Sequence, residues 1–151
     1  MKKLIYLFLA LIIVACGSDD SSEQQNFLQK YNGITWAEEE VLIEGAINTW
    51  IVLSPDGYSD GEAGIFDGNI FCGGSFFAWG VDYFGDRYEI IENTSDRLRI
   101  QYIESDGDNS YESTYTYTVS NNGIILNEEA ITQTGGYSIT YTRNHSLPCP
   151  E

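Results

Sequence analysis

The sequence predicts an all-β protein, an antiparallel up-and-down β-barrel of about eight strands behind a short N-terminal helical turn. Three observations predict it. From Gly33 onward the chain is dense in tyrosine (11 in all), threonine, isoleucine and valine, the residues that fit a pleated sheet. Turn residues interrupt these runs at short intervals, as in Ser54-Pro55-Asp56-Gly57, Asp106-Gly107-Asp108-Asn109 and Asn121-Asn122-Gly123. The later runs also alternate with a period of two. Tyr111, Ser113, Tyr115, Tyr117 and Val119 fall on one face, with Glu112, Thr114, Thr116 and Thr118 on the other.

The elements follow in chain order. Met1-Lys2-Lys3 precedes 12 uncharged, almost wholly apolar residues, Leu4 to Ala15. A membrane-spanning helix needs about 20 such residues, so this stretch is an export signal rather than a span. Its end, Ile13-Val14-Ala15-Cys16, resembles the lipobox of bacterial lipoproteins, in which the cysteine thiol takes a diacylglycerol group and the chain is cut just before it. Cys16 is therefore the expected lipid attachment site, residues 1–15 the signal peptide, and the lipid the only membrane attachment. Residues 16–25, Cys-Gly-Ser-Asp-Asp-Ser-Ser-Glu-Gln-Gln, have little to bury and read as an acidic disordered tether. The acidic run after the cysteine resembles the signal that sends Bacteroidetes-type lipoproteins to the cell surface. The expected location is the outer membrane, lipid-anchored, facing the cell exterior or the periplasm.

Residues 26–151 form the expected domain. Asn26 to Tyr31 can make one or two helical turns. Strands are expected at Ile34–Ile43, Thr49–Leu53, Ile70–Trp79, Arg87–Glu92, Leu98–Glu104, Tyr111–Val119, Ile124–Glu128 and Tyr137–Arg143. A further short strand is expected somewhere between Tyr58 and Phe66, in a glycine-rich stretch that otherwise reads as a flexible crossover. Strands joined in sequence order by short turns make a meander, and a long twisted meander closes on itself because closure removes its unpaired edges. The alternation puts Leu98, Ile100 and Tyr102, and Tyr137, Ile139 and Tyr141, on the inner face. Arg143 shares that inner face, where an arginine is costly unless something receives it.

Cleavage before Cys16 leaves 136 residues, enough for one domain with a core. Five cations then face 23 acids, a formal charge of −18, which repels nucleic acid and anionic headgroups. Cys72 and Cys149 remain as an even pair in an oxidising compartment. They are expected to form a disulfide closing a 77-residue loop, worth roughly 4 kcal/mol by chain entropy. Zinc lacks ligands, since His145 is the one histidine and no Cys-x-x-Cys occurs.

The domain resembles the lipocalin-like barrels common among exported bacterial lipoproteins, over roughly Asn26 to His145. Lipocalins open with a helical turn and a Gly-x-Trp motif, for which this chain has Tyr31-Asn32-Gly33-Ile34-Thr35-Trp36, one residue longer. Their last strand carries an arginine that lies over that tryptophan and closes the barrel. The resemblance implies that Arg143 stacks on Trp36, a favourable cation–π arrangement for a planar guanidinium. It further implies an interior that holds a small hydrophobic or amphipathic molecule.

No nucleophile stands beside a base, because His145 and Ser146 are adjacent and point apart in extended chain. Pairs of acids such as Glu38 and Glu40 are expected by number alone and read as solvated. Asp56 to Asp67 matches a calcium loop at several positions but fails at Tyr58 and is flanked by strands. The expectation is a non-catalytic binding protein without cofactor or metal. Its ligand-lining residues would come from Trp50, Trp79, Tyr102, Tyr115, Tyr117, Tyr137 and Tyr141. The competing reading is a surface module for glycans or proteins with no internal cavity.

Overall fold

The computed structural model describes residues 24–145 and 147. The expected signal peptide, Cys16, most of the expected tether and Cys149 lie outside the described residues. Helix α1 (Phe27–Lys30) is followed by ten strands: β1 (Thr35–Ala37), β2 (Ile47–Leu53), β3 (Gly57–Phe66), β4 (Asn69–Ala78), β5 (Asp82–Tyr83), β6 (Asp86–Asn93), β7 (Arg97–Asp106), β8 (Asn109–Ser120), β9 (Ile125–Thr132) and β10 (Gly135–Arg143). All pair antiparallel in one sheet, a meander whose first and last strands join to give a nearly closed barrel. Among the described residues no helix is long and apolar enough to cross a membrane.

Ten strands stand where about eight were expected, because β3 and β5 are added, and β1 is shorter than expected. β1 ends at Ala37 rather than Ile43. Three consecutive glutamates, Glu38 to Glu40, cannot alternate in and out, and side chains take over their backbone groups instead. Asn48 bonds both the N–H and the carbonyl of Glu39, and Asn144 Nδ2 donates to the Glu39 and Glu40 carbonyls at 3.1 and 2.9 Å. The glycine-rich segment from Gly57 to Phe66 is a full strand laddered on both sides, not a crossover. It turns into β4 through Asp67-Gly68, both at positive φ as a two-residue hairpin requires. β5 is a two-residue addition paired to β6.

The sheet is not sealed between β4 and β6. There Gly80 N–H donates to the Tyr88 carbonyl at 2.7 Å and Ala78 N–H to the Tyr83 hydroxyl at 3.0 Å. Rings fill the rest of the seam: Tyr88 packs on Phe77, Tyr58 and Tyr102 with centroids 5.0, 5.3 and 4.8 Å apart. Such aromatic pairs add about 0.5–1.5 kcal/mol each beyond the area they bury.

The main core is the barrel's lower interior, built from Trp36, Ile51, Leu53, Leu98, Ile100 and Leu126 with the buried face of α1. The helix is short but well started. Asn26 accepts from Gln29 N–H at 2.9 Å while the Gln29 side chain accepts from Asn26 N–H, a capping box. Phe27 N–H donates to the Thr94 carbonyl and seats the helix against the β6–β7 turn. Phe27 and Leu28 are buried, and Tyr31 meets the Trp36 ring edge-on at 6.1 Å. The helix, not an arginine, plugs this end.

That corrects the expected Arg143–Trp36 stack. The register is as anticipated, with Arg143 directly opposite Trp36 across β10 and β1, but the Arg143 side chain is exposed. Arg143 lines a shallow cavity of about 450 Å³ with Lys30, Tyr31 and Asn122, while the Trp36 Nε1 is buried without a hydrogen-bond partner. The cation that does lie over a ring at this end is Lys30, 5.1 Å from Tyr31. With α1 already covering the indole, the guanidinium is left at the rim in water.

Candidate functional site: a tyrosine-lined cavity with two carboxyls

Above the core the barrel holds an open-mouthed cavity of about 370 Å³. Strand register explains its depth. Tyr117, Glu128 and Ile139 lie level across β8, β9 and β10, as do Tyr115, Ala130 and Tyr137 one step higher. Leu126, level with Val119 and Tyr141, forms the floor, and Trp36 with Arg143 comes next below. Exposure rises the same way. Ile51 and Tyr117 are buried, whereas Tyr137 and Glu62 at the mouth are exposed. The mouth therefore faces away from α1.

Six tyrosines line the space: Tyr58 from β3, Tyr88 from β6, Tyr115 and Tyr117 from β8, and Tyr137 and Tyr141 from β10. Asp60 and Glu128 stand among them. Glu128 is only 4% exposed, and Tyr141 donates its hydroxyl to Glu128 Oε2 at 3.2 Å. Burial pushes the Glu128 carboxyl above the ordinary carboxylate range, the Tyr117 and Tyr141 hydroxyls hold it down, and the Asp60 charge adds to the rise. Burial raises Asp60 as well, opposed by the Tyr58 hydroxyl. The same burial, reinforced by the neighbouring carboxyls, lifts Tyr58, Tyr88, Tyr115, Tyr117 and Tyr141, so their hydroxyls stay neutral donors at physiological pH.

Of the residues expected to line a ligand site, Tyr115, Tyr117, Tyr137 and Tyr141 line this cavity. Three do not. Trp50 points to the outer face, since its neighbour Ile51 points in, and it packs with Ala37, Ala63, Leu42 and Leu147 in a small second core. Its indole lies flat across Gly61 and Gly74, where any Cβ would sit 2.6 and 2.5 Å from the ring. Trp79 packs against the main core from below, donating its Nε1–H to the Ser54 carbonyl at 3.0 Å. Tyr102 stands behind Tyr88 with its hydroxyl on Asp86 at 3.0 Å, and burial together with that carboxyl pushes it up to about 12.

Asp60, Glu128, Tyr58 and Tyr88 were not expected here. For Glu128 the signal was present, because it shares parity with Leu126 and Ala130 in "ILNEEAIT". Asp60 sits in the strand that its glycines disguise. The Asp56–Asp67 segment, weighed as a calcium loop, is that strand, and among the described residues no three metal-binding side chains come together. Compared with protein-family models, curated proteins and solved structures, the chain matches none.

Proposed function

We propose that this chain is a lipid-anchored, lipocalin-like lipoprotein of the outer membrane or cell surface that holds one small amphipathic molecule inside its barrel without transforming it. The observation that carries the reading is the open cavity of about 370 Å³, a size within the range of small-molecule sites. Its tyrosine rings give apolar contact area worth about 25 cal/mol per Å² buried, and their hydroxyls orient a polar end. The anchor belongs to the same proposal, with Cys16 carrying the lipid and the acidic residues after it spacing the barrel from the bilayer.

A Cys72–Cys149 disulfide is also part of the reading. Leu147 packs on the small second core that contains Ala63, and Ala63 is the direct cross-strand partner of Cys72, which supports the pairing. An outward-facing module for a glycan or protein is the second reading. It draws on exposed Ile70 and Phe76, which share the outer face of the edge strand β4.

Native mass spectrometry of protein extracted from its own membranes tests the first reading. A bound small molecule that departs on unfolding is the expected result; an empty barrel that takes up no member of a broad amphipathic library overturns it. Cys16→Ala should move the protein from the membrane to the soluble fraction, and retention in the membrane refutes the anchor.

A further inference from the structure

The cavity's charge is unbalanced in one direction. Among the described residues the lysines and arginines are Lys30, Arg87, Arg97, Arg99 and Arg143, and none of them lines it. Arg87, Arg97 and Arg99 pair with Glu89 and Glu92 away from the cavity, while Lys30 and Arg143 lie below its floor. Glu128 and Asp60 therefore face an open-mouthed cavity whose lining offers them tyrosine hydroxyls and ring faces but no cation. A carboxylate kept from water without a cation is costly, so it either keeps its proton or receives a positive partner. Asp60, Glu62 and Glu128 line the cavity, but among the described residues no three metal-binding side chains come close enough together to hold a metal ion. Tyrosine faces, by contrast, carry the negative quadrupole that attracts an ammonium group, most strongly where water is excluded. An anionic guest would meet Glu62 at the mouth before the two carboxyls within.

We infer that the barrel takes a small organic cation, with an ammonium head held between Asp60 and Glu128 and a compact apolar body against the tyrosine rings. This rests on the interior being a ligand cavity, and the test separates the two claims. The full chain in a neutral detergent is titrated calorimetrically, against a detergent blank, with three probes of matched shape: phenethylammonium, 2-phenylethanol and 3-phenylpropionate. Phenethylammonium should bind at least tenfold more tightly than the alcohol, with the carboxylate weakest. Glu128→Gln should lower the ammonium affinity about tenfold and change that of the alcohol less than twofold. Should that variant fail to fold by circular dichroism, Asp60→Asn takes its place, and the wild-type ranking decides without either. If the alcohol or the carboxylate binds as tightly as the ammonium, the cation assignment is overturned while the ligand cavity stands. If none of the three binds, the cation assignment is overturned, and the ligand cavity falls with it only if the native barrel is also empty and takes up no member of the wider library.

Discussion

Glu128→Gln should make the unliganded protein more stable at neutral pH, although it lowers affinity for the proposed guest. Glu128 is almost fully buried on β9, and the Tyr141 hydroxyl reaches its Oε2 at 3.2 Å. Glutamine has the same shape, and its carbonyl oxygen can accept from Tyr141, so the substitution removes charge and little else. Leaving a buried polar group poorly compensated costs about 1–3 kcal/mol, more for a charge, and the tyrosine hydroxyls offset part of that here. A gain of about 1–2 kcal/mol is expected, which for a domain of this size raises Tm by roughly 3–10 °C. The sign with pH follows from the upward shift. The folded state holds the Glu128 proton more tightly than the unfolded state does, so wild-type stability falls as pH rises from the ordinary glutamate range through the raised value. Below that range both states are protonated and the variant gains nothing. Asp60, raised by the same burial, adds a fall of the same sign in both proteins. Thermal melts followed by circular dichroism from about pH 4 to about pH 8 compare the two across the carboxylate range. A variant less stable than wild type at neutral pH, or an advantage that does not change with pH, would refute the reasoning.

The lower end of the barrel gives a paired test: Phe27→Ala, which empties the buried face of α1, should cost about 3–5 kcal/mol in urea unfolding, whereas Arg143→Ala should stay within about 0.5 kcal/mol. Equal losses from both would restore the arginine as a closing element. Gly61→Val should cost at least about 1–3 kcal/mol, because its side chain would meet the Gly73 carbonyl and the Trp50 ring on the outer face; an unchanged urea midpoint would show that the indole is free to move. Tyr88→Ala should speed hydrogen exchange of the amides in β4 and β5 while those of β8 and β9 keep their protection, and uniform loss across the sheet would mean that the seam is not a separate unit.

Much of the architecture was legible from period and punctuation. The tyrosine rows of β8 and β10 declare their inner face because every second residue is threonine or serine, and the structure keeps that parity from Tyr115 to Tyr141. Asn121-Asn122-Gly123 likewise turns as its residues demand, all three at positive φ. Reading failed where side chains outside the pattern decide. β1 stops short because Asn48 and Asn144, distant in sequence, claim the Glu39 and Glu40 backbone. β3 is a strand despite three glycines, since two of its neighbours need the room: Trp50 overlies Gly61, and the Phe71 ring lies 2.5 Å from where a Gly64 Cβ would be. The two interior acids were lost among 23, because nothing local distinguishes a carboxyl that turns inward from one that turns to water. Trp50 and Trp79 show the opposite error, large rings assigned to a pocket that the sheet puts on its outer face or beneath its floor.

The seam between β4 and β6 has a mechanical consequence. A cylinder stitched by backbone hydrogen bonds all the way round has a fixed girth, because widening it anywhere breaks several stitches together. Here one join is fastened by tilted rings and two backbone N–H bonds, so a slide of Tyr88 against Phe77 would change the circumference without breaking the other ladders. The barrel is thus adjustable along a single line, and a proposed guest of larger bulk would be met by letting out that line rather than by unravelling the fabric.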